Sequence, residues 1–135
     1  MANLIYPNFK EAMWTRPANS DVDAGNVKCA LLDMADYTYD AAHEFLDDVA
    51  GSAIVATSGN LGSKTFTDGV FDCADFVFSA VTGDESEGLL YYIDTGVAST
   101  SRLICIKDTL VTGWPFTPNG GDANVTVDAA GVCAL

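Results

Sequence analysis

One segment near the N-terminus has its apolar side chains at helical spacing. Phe9 and Met13 lie four residues apart and therefore fall on one face of a helix. Pro7 suits the first helical turn, because the N–H group that proline lacks would have no intrahelical partner there. Pro17 and the polar residues after it end the pattern. The spacing predicts a helix over residues 6–14, and a helix this short must pack against the rest of the chain to be stable.

Most of the remaining chain consists of short apolar or alternating runs separated by Gly, Asn and Asp, which is typical of β-strands joined by turns. The runs cover residues 27–34, 52–57, 64–67, 70–72, 75–81, 88–94, 102–107, 124–128 and 132–135. Asp68 and Gly69 separate two of these runs and form a dipeptide that favours a type I′ hairpin turn. A second short helix is predicted over residues 41–49, with Asp40 as its N-cap.

The number and spacing of these runs predict a mainly β fold. Eight or nine short strands with frequent turns are typical of a β-sandwich or a jelly-roll-like barrel, here with one or two short helices. The length of 135 residues fits one domain. We therefore expect a single β domain, with residues 1–16 as an N-terminal helical segment and residues 27–135 as the β-sandwich. The run over residues 88–94 is the most strand-like and is expected at the centre of a sheet.

The charge balance of the chain excludes several classes of partner. Asp and Glu number 19 against 6 Lys and Arg, so the formal net charge is −13, while 49% of the residues are hydrophobic. That hydrophobic fraction argues against disorder, and the acidity argues against binding to nucleic acid or to an anionic membrane surface. The first residues lack the features of a secretory signal, and no run reaches the ~20 apolar residues that span a bilayer. We therefore expect a soluble protein synthesised in a cytoplasm.

The four cysteines, Cys29, Cys73, Cys105 and Cys133, are widely and almost evenly spaced. No Cys-x-x-Cys pair is present, so a zinc site would need four distant segments to meet. Two disulfides would require an oxidising compartment, to which nothing in the sequence directs the chain. We therefore expect four reduced, mostly buried cysteines that pack as small apolar side chains, with no metal and no cofactor.

Three clusters of acidic residues are candidates for cation binding. They comprise Asp21 and Asp23, then Asp33, Asp36 and Asp40, and finally Asp84, Glu85 and Glu87. The first cluster is similar to the start of an EF-hand loop, but it lacks the third acidic ligand and the distal Glu. We interpret all three clusters as solvated turns.

His43 is the single histidine of the chain, and a Ser-His-Asp triad would have to be built on it. No nucleophile elbow of the Gly-x-Ser-x-Gly type accompanies it, and there is no Walker or dinucleotide-binding motif. Paired carboxylates for glycoside hydrolysis are not identifiable from sequence, because the separation they need is spatial. We therefore expect His43 to hold a loop or to lie on a helix surface, and the protein not to be an enzyme.

Several segments together resemble a family of small virion structural proteins of tailed bacteriophages. The segments are residues 1–11, 27–33, 35–49, 68–75, 92–103 and 118–122. They include Asn-Leu-Ile-Tyr-Pro-Asn-Phe-Lys near the start, Ala-His-Glu-Phe around His43 and Asp-Gly-Val-Phe-Asp-Cys-Ala-Asp from Asp68. The resemblance covers nearly the whole chain, and proteins of this family are head decoration (cement), neck or tail components. The cysteines and the Trp-Pro-Phe string at Trp114 are not associated with the family.

The resemblance implies a non-enzymatic virion protein. We expect a head decoration protein on the outer face of the capsid shell, bound to the major capsid protein and assembled as a homo-oligomer, with a trimer favoured. The expected contact residues are Leu4, Ile5, Tyr6, Phe9, Trp14 and Trp114. Trp14 and Trp114 could instead cover the ends of the β core.

Three alternative functions stay open at this point. A neck, tail or fibre component would be present in far fewer copies than a decoration protein. A carbohydrate-binding adhesin would stack Trp14, Trp114 or the tyrosines on sugars. A small hydrolase would use His43 with nearby acidic residues, and its activity would be lost in His43→Ala.

Overall fold

The computed structural model describes residues 3–108 and 115–135. Over these ranges the chain forms nine β-strands, one α-helix and four short 3-10 turns. In chain order the regular elements are β1 (Leu4–Ile5), α1 (Pro7–Thr15), β2 (Asn26–Leu32), β3 (Ile54–Thr57), β4 (Val70–Phe71), β5 (Phe76–Phe78), β6 (Gly88–Asp94), β7 (Leu103–Lys107), β8 (Ala123–Val125) and β9 (Cys133–Ala134). The prediction of a mainly β fold with a short helix is confirmed.

Five strands form an antiparallel sheet in the order β1-β7-β6-β2-β3. β6 lies at its centre and pairs with β2 along its whole length, with Leu32 opposite Gly88 at one end. All of β6 except Asp94 is buried. A strand buried on both faces needs a continuous apolar run, and the predicted strand over residues 88–94 is confirmed with the same bounds.

Two further antiparallel pairs, β4 with β9 and β5 with β8, cover the sheet face that bears Tyr91. The Phe76 ring meets the Tyr91 ring edge-on, with 6.1 Å between the two centroids. Cys133 of β9 interacts with Cys105 of β7, which lies opposite Tyr91 in the sheet register. Side chains of both pairs, including Phe78, therefore belong to the same core cluster as the sheet.

Helix α1 begins and ends close to the predicted positions. Pro7 occupies its first turn. Arg16 ends the helix with a left-handed φ of 51°, and its N–H donates to the Ala12 carbonyl at 2.8 Å. Phe9 and Ala12 are buried, and Phe9 belongs to the core cluster that contains the sheet. β1, just before the helix, pairs with β7. The sequence does not predict β1, because two residues are too few to show an alternating pattern.

The predicted helix over residues 41–49 is wrong. The segment is a loop that contains one 3-10 turn, Leu46–Asp48. The Asp40 carboxylate accepts the backbone N–H two residues further on at 2.8 Å, which forms a local turn. The segment's backbone then pairs with the approach to β7, where the Glu44 carbonyl accepts the Leu103 N–H at 3.0 Å. These bonds to another segment replace the bonds that an α-helix would make.

Asp68 and Gly69 form the predicted tight turn. Both have a positive φ, 54° and 76°, as a type I′ turn requires. The two arms of the hairpin meet in a single bridge between Thr65 and Asp72, with N···O distances of 2.9 and 3.0 Å. β4, in the second arm, makes its ladder with β9. Residues 64–67, predicted as a strand, contribute only this bridge.

Candidate functional site

Helix α1 presents Trp14, the most exposed large apolar side chain of the described residues, with 89% of its surface exposed. The face of the helix that bears Phe9 and Ala12 is buried. Successive residues of a helix point about 100° apart, so Trp14 lies on a different face and is exposed to solvent. Isolated exposed apolar residues are ordinary, but an exposed Trp next to further apolar surface marks an interaction site.

A cavity of about 250 Å³ lies beside the helix, and most of its lining is apolar. The apolar lining includes Phe9, Met13, Val22, Phe66, Phe71, Ile104 and Leu135. Phe66 and Leu135 are 41% and 67% exposed, so apolar side chains reach the mouth of the cavity, beside the charged Arg16, Asp21 and Asp23. We call Met13, Phe66 and Leu135 of this cavity, together with Trp14, which follows Met13 in helix α1, the apolar patch. The sequence does not single out Phe66 or Leu135, because one apolar residue beside a turn does not indicate whether its side chain is exposed.

The predicted contact residues are only partly at the surface. Tyr6 and Phe9 are 0% and 3% exposed, so their side chains present almost no surface to a partner. Both side chains are instead used to pack the N-terminal segment into the core. Leu4 and Ile5 are half-buried in β1. Trp114 lies outside the described residues.

A chain of hydrogen bonds joins Tyr6, Tyr37 and His43. The two phenol oxygens are 2.7 Å apart, and the Tyr37 oxygen lies 2.8 Å from Nδ1 of His43. Burial raises the pKa of Tyr6, and the bond to Tyr37 raises it further. Burial also raises the pKa of Tyr37. In a Ser-His-Asp triad Nδ1 faces a carboxylate, whereas here it faces a neutral phenol. The geometry matches a histidine that holds a loop.

Arg102 is a cation that the fold has buried, with 4% of its surface exposed. Its Nη1 donates to Glu44 Oε1 at 2.9 Å, and its Nη2 donates to the Ala18 carbonyl at 3.3 Å. Its guanidinium carbon lies 4.9 Å from the centroid of the Phe45 ring. Arg102 therefore holds two loops together and is not exposed to an external ligand.

The backbone around the first acidic cluster, Asp21 and Asp23, binds the ammonium group of Lys64. The Asp21 carboxylate accepts the N–H groups of Asp23 and Ala24, both at 3.0 Å. The Lys64 ammonium donates to the carbonyls of Val22, Asp23 and Gly25 at 2.8, 2.9 and 2.6 Å. Three backbone carbonyls of this loop are therefore directed at the Lys64 ammonium.

The other two acidic clusters also use carboxylate oxygens as acceptors for backbone N–H groups. Asp33 accepts from Ala35 at 2.8 Å, and Glu87 accepts from Met34 at 2.9 Å. Within residues 3–108 and 115–135, no group of three or more His, Cys, Asp or Glu side chains is placed to hold a metal ion. In the same part of the chain, every helix is too short or too polar to cross a bilayer.

The four cysteines, far apart in sequence, gather around Tyr91. Cys29 and Cys105 lie opposite Tyr91 on the two neighbouring strands, and Cys73 and Cys133 are close enough to interact electrostatically with it. All four are free thiols. Three are buried and Cys133 is half-buried, as the sequence predicts.

Two features of the described residues are not explained by contacts that stabilise the fold. One is the apolar patch at helix α1, and the other is the group of four thiols around Tyr91. His43, Arg102 and Lys64 are engaged by neighbours within the chain. Neither a protein-family model nor a curated protein matches this sequence.

Proposed function

We propose that this protein is a non-enzymatic structural component of a tailed-bacteriophage virion, namely a head decoration protein on the outer face of the capsid shell. Its partner in this role is the major capsid protein. The resemblance of six segments to small virion proteins supports the family. The observation that carries the proposal is Trp14, an indole 89% exposed on helix α1, whose residues Phe9 and Met13 line an apolar cavity.

An exposed Trp on a helix that also lines an apolar cavity is the arrangement expected where a second protein covers the surface. Trp is enriched among the residues that dominate binding energy, each costing ~2 kcal/mol or more when truncated. Burial of apolar surface contributes about 25 cal/mol per Å². A decoration protein repeats one such contact over the whole shell, so a modest contact per copy stabilises the particle against internal pressure.

The net charge of −13 supports an outer position on the particle. Strong negative charge keeps free subunits soluble before assembly and opposes contact with packaged DNA. It also opposes association between copies through their acidic turns. The homo-oligomer that we propose, with a trimer favoured, must therefore form through apolar surface.

The internal contacts of the polar side chains support a non-enzymatic role. General acid or base catalysis needs a titratable group within reach of a substrate. Nδ1 of His43, the single histidine, is 2.8 Å from the Tyr37 hydroxyl. The Arg102 guanidinium is buried and paired with Glu44.

The proposal is tested by binding the purified protein to capsids that lack it. Trp14→Ala should weaken binding by roughly tenfold or more. The variant should unfold at the wild-type temperature, because the Trp14 side chain is almost wholly exposed. Val77→Ala is the matched control: Val77 is 39% exposed on β5, outside the apolar patch, and its loss should leave binding unchanged. Equal binding by Trp14→Ala and wild type would exclude the patch as the contact.

A second experiment separates decoration from the alternatives. Particles without the protein should release DNA at a lower temperature than complete particles, and the protein should be present in many copies per particle by quantitative densitometry. A low copy number would favour a neck, tail or fibre component. Binding to glycans that is lost in Trp14→Ala would favour an adhesin.

A further inference from the structure

Cys105 and Cys133 form a pair within the group of four thiols. Cys105 is buried in β7, whereas Cys133 is half-buried in β9, close to Leu135 at the end of the chain. Both side chains line the same cavity, and each affects the ionisation of the other. The two sulfurs are therefore neighbours, although β7 and β9 belong to different sheets.

A cavity of about 360 Å³ opens onto this pair. Its lining comprises Asn3, Leu4, Ile5, Lys10, Cys105, Ile106, Lys107, Val132, Cys133 and Ala134. Two of the six Lys and Arg side chains of the protein thus meet at one cavity. Among the described residues, none of those that line it is acidic. In a chain with 19 acidic residues, this cavity is suited to a small anion.

The surroundings make Cys133 the more reactive of the two thiols. The interaction with the Cys105 thiol lowers the pKa of Cys133, and the nearby Lys107 ammonium lowers it further, against the effect of burial. The same interaction and burial raise the pKa of Cys105. Burial raises the pKa of Cys73 to about 11. Because the thiolate is the nucleophile, Cys133 is the sulfur that attacks first.

We propose that Cys133 and Cys105 form a reactive thiol pair, which exchanges with a small anionic disulfide bound between Lys10 and Lys107. The Cys133 thiolate attacks one sulfur of the bound disulfide, so that a mixed disulfide forms and one thiolate leaves. Cys105 loses its proton to water and attacks the Cys133 sulfur, which releases the second thiolate. The chain ends with a Cys105–Cys133 disulfide, having lost two electrons and two protons, and the small disulfide has gained the two electrons.

The position of Cys133 lets the second step occur without disturbing the main sheet. A disulfide requires the two sulfurs to approach to about 2.05 Å, closer than two thiols in van der Waals contact. β9 is a two-residue strand that pairs with β4 and not with the five-stranded sheet. The required shift therefore falls on β9, while Cys105 stays in β7.

The wild-type protein itself provides the first test, with dithiobis(nitrobenzoate), a dianionic aromatic disulfide, added at one equivalent per chain. We expect release of both nitrothiobenzoate anions and a product lighter by two hydrogen atoms. Peptide mapping should find Cys105 joined to Cys133. A stable adduct on Cys29 or Cys73, or reaction only at the rate of the urea-unfolded chain, would overturn the proposal.

Single variants separate the two steps. Cys133→Ser should slow the release of nitrothiobenzoate by roughly tenfold or more, because it removes the attacking sulfur. Cys105→Ser should release one anion and stop at the mixed disulfide. Cys73→Ala is the matched control and should behave as wild type. If a variant does not fold, the peptide map of the wild-type product still decides between the outcomes.

The anion site is tested through Lys107. Lys107→Gln should move the pH profile of the reaction upward and slow the reaction with dithiobis(nitrobenzoate) more than that with cystamine, a dicationic disulfide. Lys107→Arg should restore the wild-type profile. An unchanged preference between the two disulfides in Lys107→Gln would overturn the anion site.

Discussion

Polar side chains that are candidates for chemistry in the sequence serve mainly to join distant segments in the structure. Lys64 donates to carbonyls that lie 39 to 42 residues before it in the chain, and the phenol oxygens of Tyr6 and Tyr37 meet across 31 residues. Periodicity reports on local structure only, so neither contact is predictable from the sequence. The contact of His43 with the Tyr37 hydroxyl, six residues away, agrees with the prediction that this histidine holds a loop.

The hydrogen-bond chain predicts unequal effects for two similar substitutions. Tyr37→Phe removes the partner of the Tyr6 hydroxyl, which is completely buried, and should lower the free energy of unfolding by about 1–3 kcal/mol. Tyr6→Phe leaves the Tyr37 hydroxyl bonded to His43 and should cost less. Urea unfolding of both variants measures the difference. Equal losses would mean that the Tyr6 hydroxyl finds another partner.

Lys64 gives a second prediction at this scale. Lys64→Met removes an ammonium that donates to three backbone carbonyls and should lower the free energy of unfolding by about 1–3 kcal/mol. Lys28→Met is the control, because Lys28 makes a partly exposed ion pair with Asp94 at 2.8 Å. Such pairs contribute about 0–1 kcal/mol. A loss in Lys64→Met no larger than that in Lys28→Met, measured by urea unfolding, would contradict the role assigned to Lys64.

At the scale of elements, the sequence predicts a helix or strand best where the local pattern of the segment is sufficient to determine its structure. The apolar run of β6 and the Pro7 helix are found as expected. The predicted helix over residues 41–49 fails because its backbone bonds go to the segment before β7. The strands β1 and β9 are only two residues long. They are strands because they pair with β7 and β4, and not because their own sequences show a strand pattern.

Replacement of two glycines by alanine is predicted to have very different effects on stability, and the larger effect is at Gly131, just before β9. Gly131 has a φ of +93°, and a Cβ there would lie 2.5 Å from Val70 Cγ1 and 2.9 Å from the Phe71 carbonyl oxygen. Gly131→Ala should therefore cost about 3 kcal/mol or more. Gly120 has a similar φ of +84° but no atom within 4 Å of a new Cβ, so Gly120→Ala should cost only about 1 kcal/mol. Thermal unfolding measures both, and similar losses would show that β4 yields to the extra methyl group.

The turn Leu46–Asp48 predicts a dependence on pH. Burial opposes the ionisation of Asp48, but the N–H groups of Glu44 and Phe45 donate to its carboxylate and lower its pKa overall. Because the folded-state pKa lies below the unfolded value of about 3.9, the ionised carboxylate stabilises the fold above that pH. This contribution is lost as the pH falls through the folded-state pKa.

Asp48→Asn should therefore unfold more easily than wild type near neutral pH, and the difference should shrink at pH values below about 4. Melting temperatures of the two proteins across this range provide the measurement. Other carboxylates with lowered pKa values, such as Asp94, are present in both proteins, so their effects cancel in the comparison. A difference that is constant with pH would contradict the role of the charge.

At the scale of the whole molecule, much of the acidity has a structural use. Carboxylates that accept backbone N–H groups belong to Asp21, Asp33, Asp40, Asp48, Asp72, Asp75, Glu87, Asp94, Asp122 and Asp128. The sequence places the acids in turns, and the structure adds that their oxygens hold those turns. A net charge of −13 is therefore compatible with a well-defined fold.

The pairing of β1 with β7 also determines when the fold can form during synthesis. Leu4 lies opposite Ile106, so the first strand leaves the ribosome long before its partner exists. Until β7 emerges, the segment that carries Tyr6 and Phe9, both buried in the finished protein, lacks the strand with which it pairs. The nascent chain therefore presents an apolar N-terminal segment that chaperones can bind. Pairings this distant also slow folding, to the range of about milliseconds to seconds for β proteins.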